Sequence, residues 1–154
     1  MKPMGDVKVK KLGRQLLINI PKDVVEYLKL KPGNMAIVSK SDNKLVLMEG
    51  LGSVKVVDVG RGKLRIYIDA EEAPFKEGDR VLVTVDKDRL VIERIDYYIV
   101  KPTVKPGNYY KINMPWELVR EVGLDKYPLI KIYREGNRII VEPLEGGYEI
   151  GSSR

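Results

Sequence analysis

Gly13-Arg14-Gln15-Leu16-Leu17-Ile18-Asn19-Ile20-Pro21 returns ninety-four positions later as Gly107-Asn108-Tyr109-Tyr110-Lys111-Ile112-Asn113-Met114-Pro115. The correspondence runs without a gap from position 13 to position 47. Val24-Val25 falls on Leu118-Val119, Leu30 on Leu124, and Asn43-Lys44-Leu45-Val46-Leu47 on Asn137-Arg138-Ile139-Ile140-Val141. A weaker copy lies between these two. In it Ile18 and Ile20 match Ile66 and Ile68 at an offset of 48. After three deleted residues, Gly33-Asn34 matches Gly78-Asp79 and Leu45-Val46-Leu47 matches Leu90-Val91-Ile92 at an offset of 45. The chain therefore reads as three tandem copies of one unit: residues 1–50, a degenerate 51–95, and 96–145, with 146–154 as a flexible tail. Repeats of this length are a fold-deciding signal. A unit this small buries too little surface to stand alone, so its copies must pair with one another or with a second chain.

Within one unit, Val7-Lys8-Val9-Lys10 alternates apolar and charged residues, the period of a half-buried strand. Leu12-Gly13-Arg14 interrupts it with a turn glycine, and Leu16, Ile18 and Ile20 mark one face of a second strand. Pro21 suits the first position of a helix, where its missing N–H costs nothing. Val24, Val25 and Leu28 form a short apolar stripe facing the core, and Lys31-Pro32-Gly33 ends the helix after about two turns. Met35-Ala36-Ile37-Val38 and Leu45-Val46-Leu47-Met48 flank Ser41-Asp42-Asn43 as a hairpin. The third copy keeps this order. The middle copy loses its helix, because Asp69-Ala70-Glu71-Glu72-Ala73-Pro74 is three residues shorter and carries a proline. The expected fold class is mainly β with short helices.

The chain has no cysteine and no histidine, which excludes disulfides, thiolate zinc sites and any imidazole base or ligand. No nucleophile–base constellation replaces them, so the expectation is a protein that is not an enzyme and needs no cofactor or metal. The N-terminus lacks an apolar signal core and no stretch approaches a membrane span, which predicts a cytoplasmic protein with no membrane partner. A single Gln against 28 Lys+Arg and 22 Asp+Glu is a thermophile-like balance. The formal charge of +6 is uneven: residues 1–50 carry +5, residues 51–95 zero, and residues 96–154 +1. Such asymmetry speaks of partners.

The run from Val9 to Val25, with eight residues from the turn Gly13 to Pro21, closed by Leu30-Lys31-Pro32-Gly33-Asn34 and a basic-apolar hairpin, resembles the SpoVT-AbrB family. The spacing is closest to its MazE-type and archaeal members. That resemblance implies swapped-hairpin barrels, in which two units interlock, and binding of duplex DNA by basic residues around the Gly turn. It places the DNA contacts at Lys8, Lys10, Lys11, Arg14, Gln15 and Asn19 in copy one, with Lys105 and Asn108 as weaker counterparts in copy three. It implies a transcriptional regulator or antitoxin-like factor. The helix arginines of some members are missing, since Val25 and Glu26 stand at those positions.

Other readings stay open at this level. The basic hairpin also fits a solvated strand face. Arg61, Lys63 and Arg65 offer either a second contact surface or ion pairs with Asp58 and Asp69. Trp116 and the pairs Tyr97-Tyr98 and Tyr109-Tyr110 read as packing before base stacking, and Glu71-Glu72, Asp86 and Asp88 as solvated loop carboxylates. A scaffold module that kept the barrel and lost DNA binding is the competing function. Three half-barrels per chain is an odd number, which predicts a homodimer. Copies one and three, the most alike, are expected to close together within the chain, or else every copy pairs with one from a second chain.

Overall fold

The computed structural model of the protein describes residues 2–99, 103–105, 107, 109–127 and 130–143. The chain divides into two units, 1–99 and 100–154.

Unit 1 is built on alternation. β1 (Met4–Lys8) and β2 (Lys10–Leu12) are successive parts of one extended stretch joined at the buried Val9. β3 (Gln15–Asn19) buries Leu16 and Ile18 and exposes Gln15 and Asn19. α1 (Lys22–Leu28) follows Pro21 and stops at Lys29, whose φ of 54° is left-handed. β4 (Gly33–Lys40) and β5 (Lys44–Glu49) form the expected hairpin, and Ser41 N–H donates to the Lys44 carbonyl at 2.9 Å across its turn. Copy two contributes β6 (Val54–Asp58), β7 (Leu64–Asp69), β8 (Arg80–Asp86) and β9 (Arg89–Ile95). Its helix is absent, as the shortened segment requires. Turns replace it, and Phe75 is buried against the core.

The nine segments form one sheet in the order β1-β8-β9-β5-β4-β6-β7-β3-β2. The two ends of that order, β1 and β2, are continuous through Val9. Val9 N–H donates to the Asp79 carbonyl and its own carbonyl accepts from Gly78 N–H, both at 2.8 Å. The sheet is thereby a nearly closed barrel. Four of its eight seams join copy one to copy two: β1–β8, β9–β5, β4–β6 and β7–β3.

These seams obey an internal two-fold. Ile18 is the Cα partner of Ile66, its own counterpart in the repeat, and Val46 is the partner of Val91, again its own counterpart. Ile18, Ile66, Leu45, Leu47, Leu90 and Ile92 are all fully buried inside. The β1–β8 seam carries an ion pair as well, Arg80 to Asp6 at 2.6 Å.

Copies one and two, not one and three, therefore interlock. Likeness of sequence does not select the partner; complementary apolar faces and a short connection do. Only Gly50-Leu51-Gly52-Ser53 separates β5 from β6, so closing this pair fixes little extra chain. Gly52 is needed there, because a Cβ would run into the backbone of Met35 and Ala36.

Unit 2 is copy three by itself: the hairpin β10 (Thr103–Lys105) and β11 (Tyr109–Lys111), α2 (Trp116–Glu121), a 3-10 turn at Leu124–Lys126, and the hairpin β12 (Ile130–Glu135) and β13 (Arg138–Pro143). The predicted tail, 146–154, lies outside the described residues. No helix among the described residues is long and apolar enough to cross a membrane.

The apolar stripe of α1 faces the core as expected, with Val25 and Leu28 packed against it. Val24 is fully buried, whereas Leu28 is only partly so. Ile18→Ala, which empties the two-fold centre of the barrel, is expected to cost about 2–5 kcal/mol. Leu28→Ala should cost less than half of that. Chemical unfolding of the two variants checks the order.

Candidate nucleic-acid interface

β2, β3, β7 and β6 are adjacent, and because Leu16, Ile18, Ile66, Ile68 and Val56 point into the barrel, their neighbours in sequence point out. The cross-strand register assembles the outer face in rows. Lys10, Leu17, Tyr67 and Lys55 form the middle row. Gln15 sits beside Asp69 on one side of it. On the other side Asn19 sits beside Arg65, and Arg65 Nε donates to Asn19 Oδ1 at 2.8 Å. The sequence-derived residues Lys10, Gln15 and Asn19 are thus brought onto one surface, exposed; Arg14 lies exposed in the adjoining turn, and Lys11, also exposed, pairs with the inward-facing Leu16. Lys8, also exposed, ends β1 and pairs with Arg80 of β8. Lys105 closes β10, where nothing is described of its side chain, and Asn108 lies outside the described residues.

The two Gly turns lie at opposite ends of the β3–β7 pair, and each meets the other copy. At one end the Arg14 carbonyl accepts Ala70 N–H at 2.9 Å, so the copy-one turn abuts Asp69, Glu71 and Glu72. At the other end Ile20 N–H donates to the Leu64 carbonyl at 3.0 Å, so the copy-two turn abuts Pro21 and Lys22. The consequence is electrostatic. Acids flank the Arg14 turn, while Lys22, Arg61, Lys63 and Arg65 line a cleft of about 570 Å³ that contains no carboxylate.

Asp58 and Asp69 are held by backbone N–H groups and not by these cations. Asp58 Oδ1 accepts Gly60 N–H at 2.7 Å and Asp69 Oδ1 accepts Glu71 N–H at 2.9 Å. Neither reaches a copy-two cation, and Arg61, Lys63 and Arg65 make no ion pair among the described residues. Arg65 is instead fixed by Asn19, a neutral partner that leaves its charge uncompensated. Lys22 belongs to this cleft as well. Nothing in the copy-one sequence separates it from other helix-surface lysines; only the crossing of the copies puts it opposite Arg61.

Arg61 stands in the left-handed region at φ 56°, where the copy-one turn has Gly13 at φ 62°. A side chain there costs backbone strain that glycine would avoid. Strain of this kind concentrates at functional positions.

Trp116 is 62% exposed at the start of α2, and Tyr98 stacks under Arg80 with the guanidinium 4.1 Å from the ring centre. Tyr133 O–H donates to Glu142 at 3.3 Å, and desolvation, followed by the Glu142 carboxylate, raises the phenol above its ordinary value of 10.0. No cluster of acids that could hold a metal ion occurs among the described residues.

Comparison of the chain with protein-family models, curated proteins and solved structures gives no match.

Arg61→Gly is expected to leave the unfolding midpoint unchanged or raise it, since relief of strain offsets the added freedom of the unfolded chain. Gly13→Ala should lower stability by about 1 kcal/mol. Thermal melts of both variants test whether the turn arginine is kept at a cost to folding.

Proposed function

We propose that the protein binds duplex DNA, without catalysis, through the outer face of β2, β3, β7 and β6, as a homodimeric regulator or antitoxin-like factor of the SpoVT-AbrB kind. The observation that carries this reading is the carboxylate-free cleft formed by Lys22, Arg61, Lys63 and Arg65, on the same face as Lys10 and Gln15. Phosphate groups are the polyanion such a surface suits, and Lys and Arg there release counterions when DNA binds. Gln15 and Asn19 add hydrogen-bonding groups between the two basic ends, of the type that read base edges or hold the backbone. The two-fold of the barrel matches the approximate two-fold of a DNA duplex, so each Gly turn addresses one strand. The homodimer rests on the count of half-barrels, because copies one and two use each other and copy three is left over.

The two ends of the face are unequal in this reading. Arg61→Ala with Lys63→Ala and Arg65→Ala should weaken binding to all duplexes and lower the slope of log affinity against log salt, by about 0.9 for each phosphate no longer neutralised. Lys10→Ala with Lys11→Ala and Arg14→Ala should do the same to a smaller extent, because Asp69 and Glu71 already offset that end. Gel shifts of both triple variants at two salt concentrations make the comparison. Equal affinity of wild type and both variants would favour the scaffold reading instead.

A further inference from the structure

Copy three has the sequence of a barrel half and the surface of an unpaired one. Residues that are core in copy one are bare in copy three at the offset of 94. Ile18 is 0% exposed and Ile112 is 49%; Leu45 is 0% and Ile139 is 76%; Leu16 is 1% and Tyr110 is 73%. The strands of copy three pair only within their own hairpins among the described residues. Copies one and two cannot relieve this, because their four mutual seams already occupy both. The missing half must come from outside the chain, and the chain supplies its description.

We infer that copy three pairs with copy three of a second chain, in the register that joins copies one and two in unit 1. The template fixes the residues. Ile18–Ile66 becomes Ile112 against Ile112 of the second chain, and Val46–Val91 becomes Ile140 against Ile140. The seam is isologous, so each contact occurs twice.

Charge supports the register independently. In unit 1 the same seam places Lys44 opposite Glu93. Carried to copy three, these positions are Arg138 and Glu142, so each Arg138 faces the Glu142 of the other chain. Opposite charges facing across an antiparallel pair stabilise it, and like charges would not. A register shifted by one residue would lose this match and also turn the apolar residues outward. The resulting assembly has three barrels, one in each chain and one shared, with two copies of the basic cleft.

This inference rests on the homodimer of the preceding reading and specifies its interface; DNA binding by unit 1 is independent of it. The chain has no cysteine, so a single introduced thiol is an unambiguous probe. Residues directly opposite in an antiparallel pair have Cα atoms about 4.5 or 5.5 Å apart, both within disulfide range. Ile140→Cys in the full chain should therefore oxidise to a covalent dimer on a non-reducing gel. Ser41→Cys, in the exposed hairpin turn of unit 1, should stay monomeric on the same gel. Ile112→Asp with Ile139→Asp should sediment as a monomer while keeping the β signal of unit 1 in circular dichroism. A wild type that sediments as a dimer, with no cross-link from Ile140→Cys, would overturn the interface and leave the homodimer. A wild type that is monomeric at micromolar concentration would overturn both.

Discussion

The antiparallel contact of Ile18 with Ile66, each residue beside its own counterpart in the repeat, is the interaction on which the rest depends. A single unit has one strongly apolar face and free strand edges, and nothing within the unit covers either. Joining two units about a two-fold solves both problems at once. The apolar faces meet as Leu45, Leu47, Leu90 and Ile92 on one side and Leu16, Ile18, Ile66 and Ile68 on the other. The edges become the seams β1–β8 and β4–β6. Continuity of the chain through Val9 then leaves the sheet with almost no edge to protect.

The same crossing makes the basic cleft. Within copy two the charges balance, but they are sorted: Arg61, Lys63 and Arg65 lie at the turn, and Asp69, Glu71 and Glu72 follow the strand. Interlocking sends the two groups to opposite ends of the face. The acids meet the turn of copy one, and the cations meet Lys22 at the start of α1. A surface assembled in this way has a polarity that neither copy has alone. Hydrogen bonds from Gly60 and Glu71 hold Asp58 and Asp69 in their own turns, which keeps those carboxylates from neutralising the cations.

Local structure is therefore legible in the sequence, and the long-range arrangement only in part. Alternation around Leu16 and Ile18, the Pro21 helix start, the Ser41-Asp42-Asn43 turn and the missing copy-two helix all follow from short-range rules, and the structure contains each of them. The burial of Phe75 in the segment that replaces that helix has no periodic signal to announce it. Sequence likeness misleads about the pairing of copies, because it favours copies one and three, whereas strand pairing answers to apolar complementarity and to the four-residue connection at Gly50–Ser53. The site is half legible for a related reason. Lys10, Gln15 and Asn19 share one strand pair and so declare a common face, but charge summed copy by copy hides the cleft, whose members come from two copies. The predicted copy-three positions, Asn108 and the Lys105 side chain, fall outside the described residues.

Copies one and two close on each other inside one chain. Val46→Cys combined with Val91→Cys tests it, since these residues are direct cross-strand partners at the two-fold. Isotopically light and heavy chains of this double variant, refolded together and oxidised, should give disulfide-linked peptides from positions 46 and 91 that are wholly light or wholly heavy. A substantial fraction of mixed light–heavy links would mean that the barrel is formed between chains and not within one.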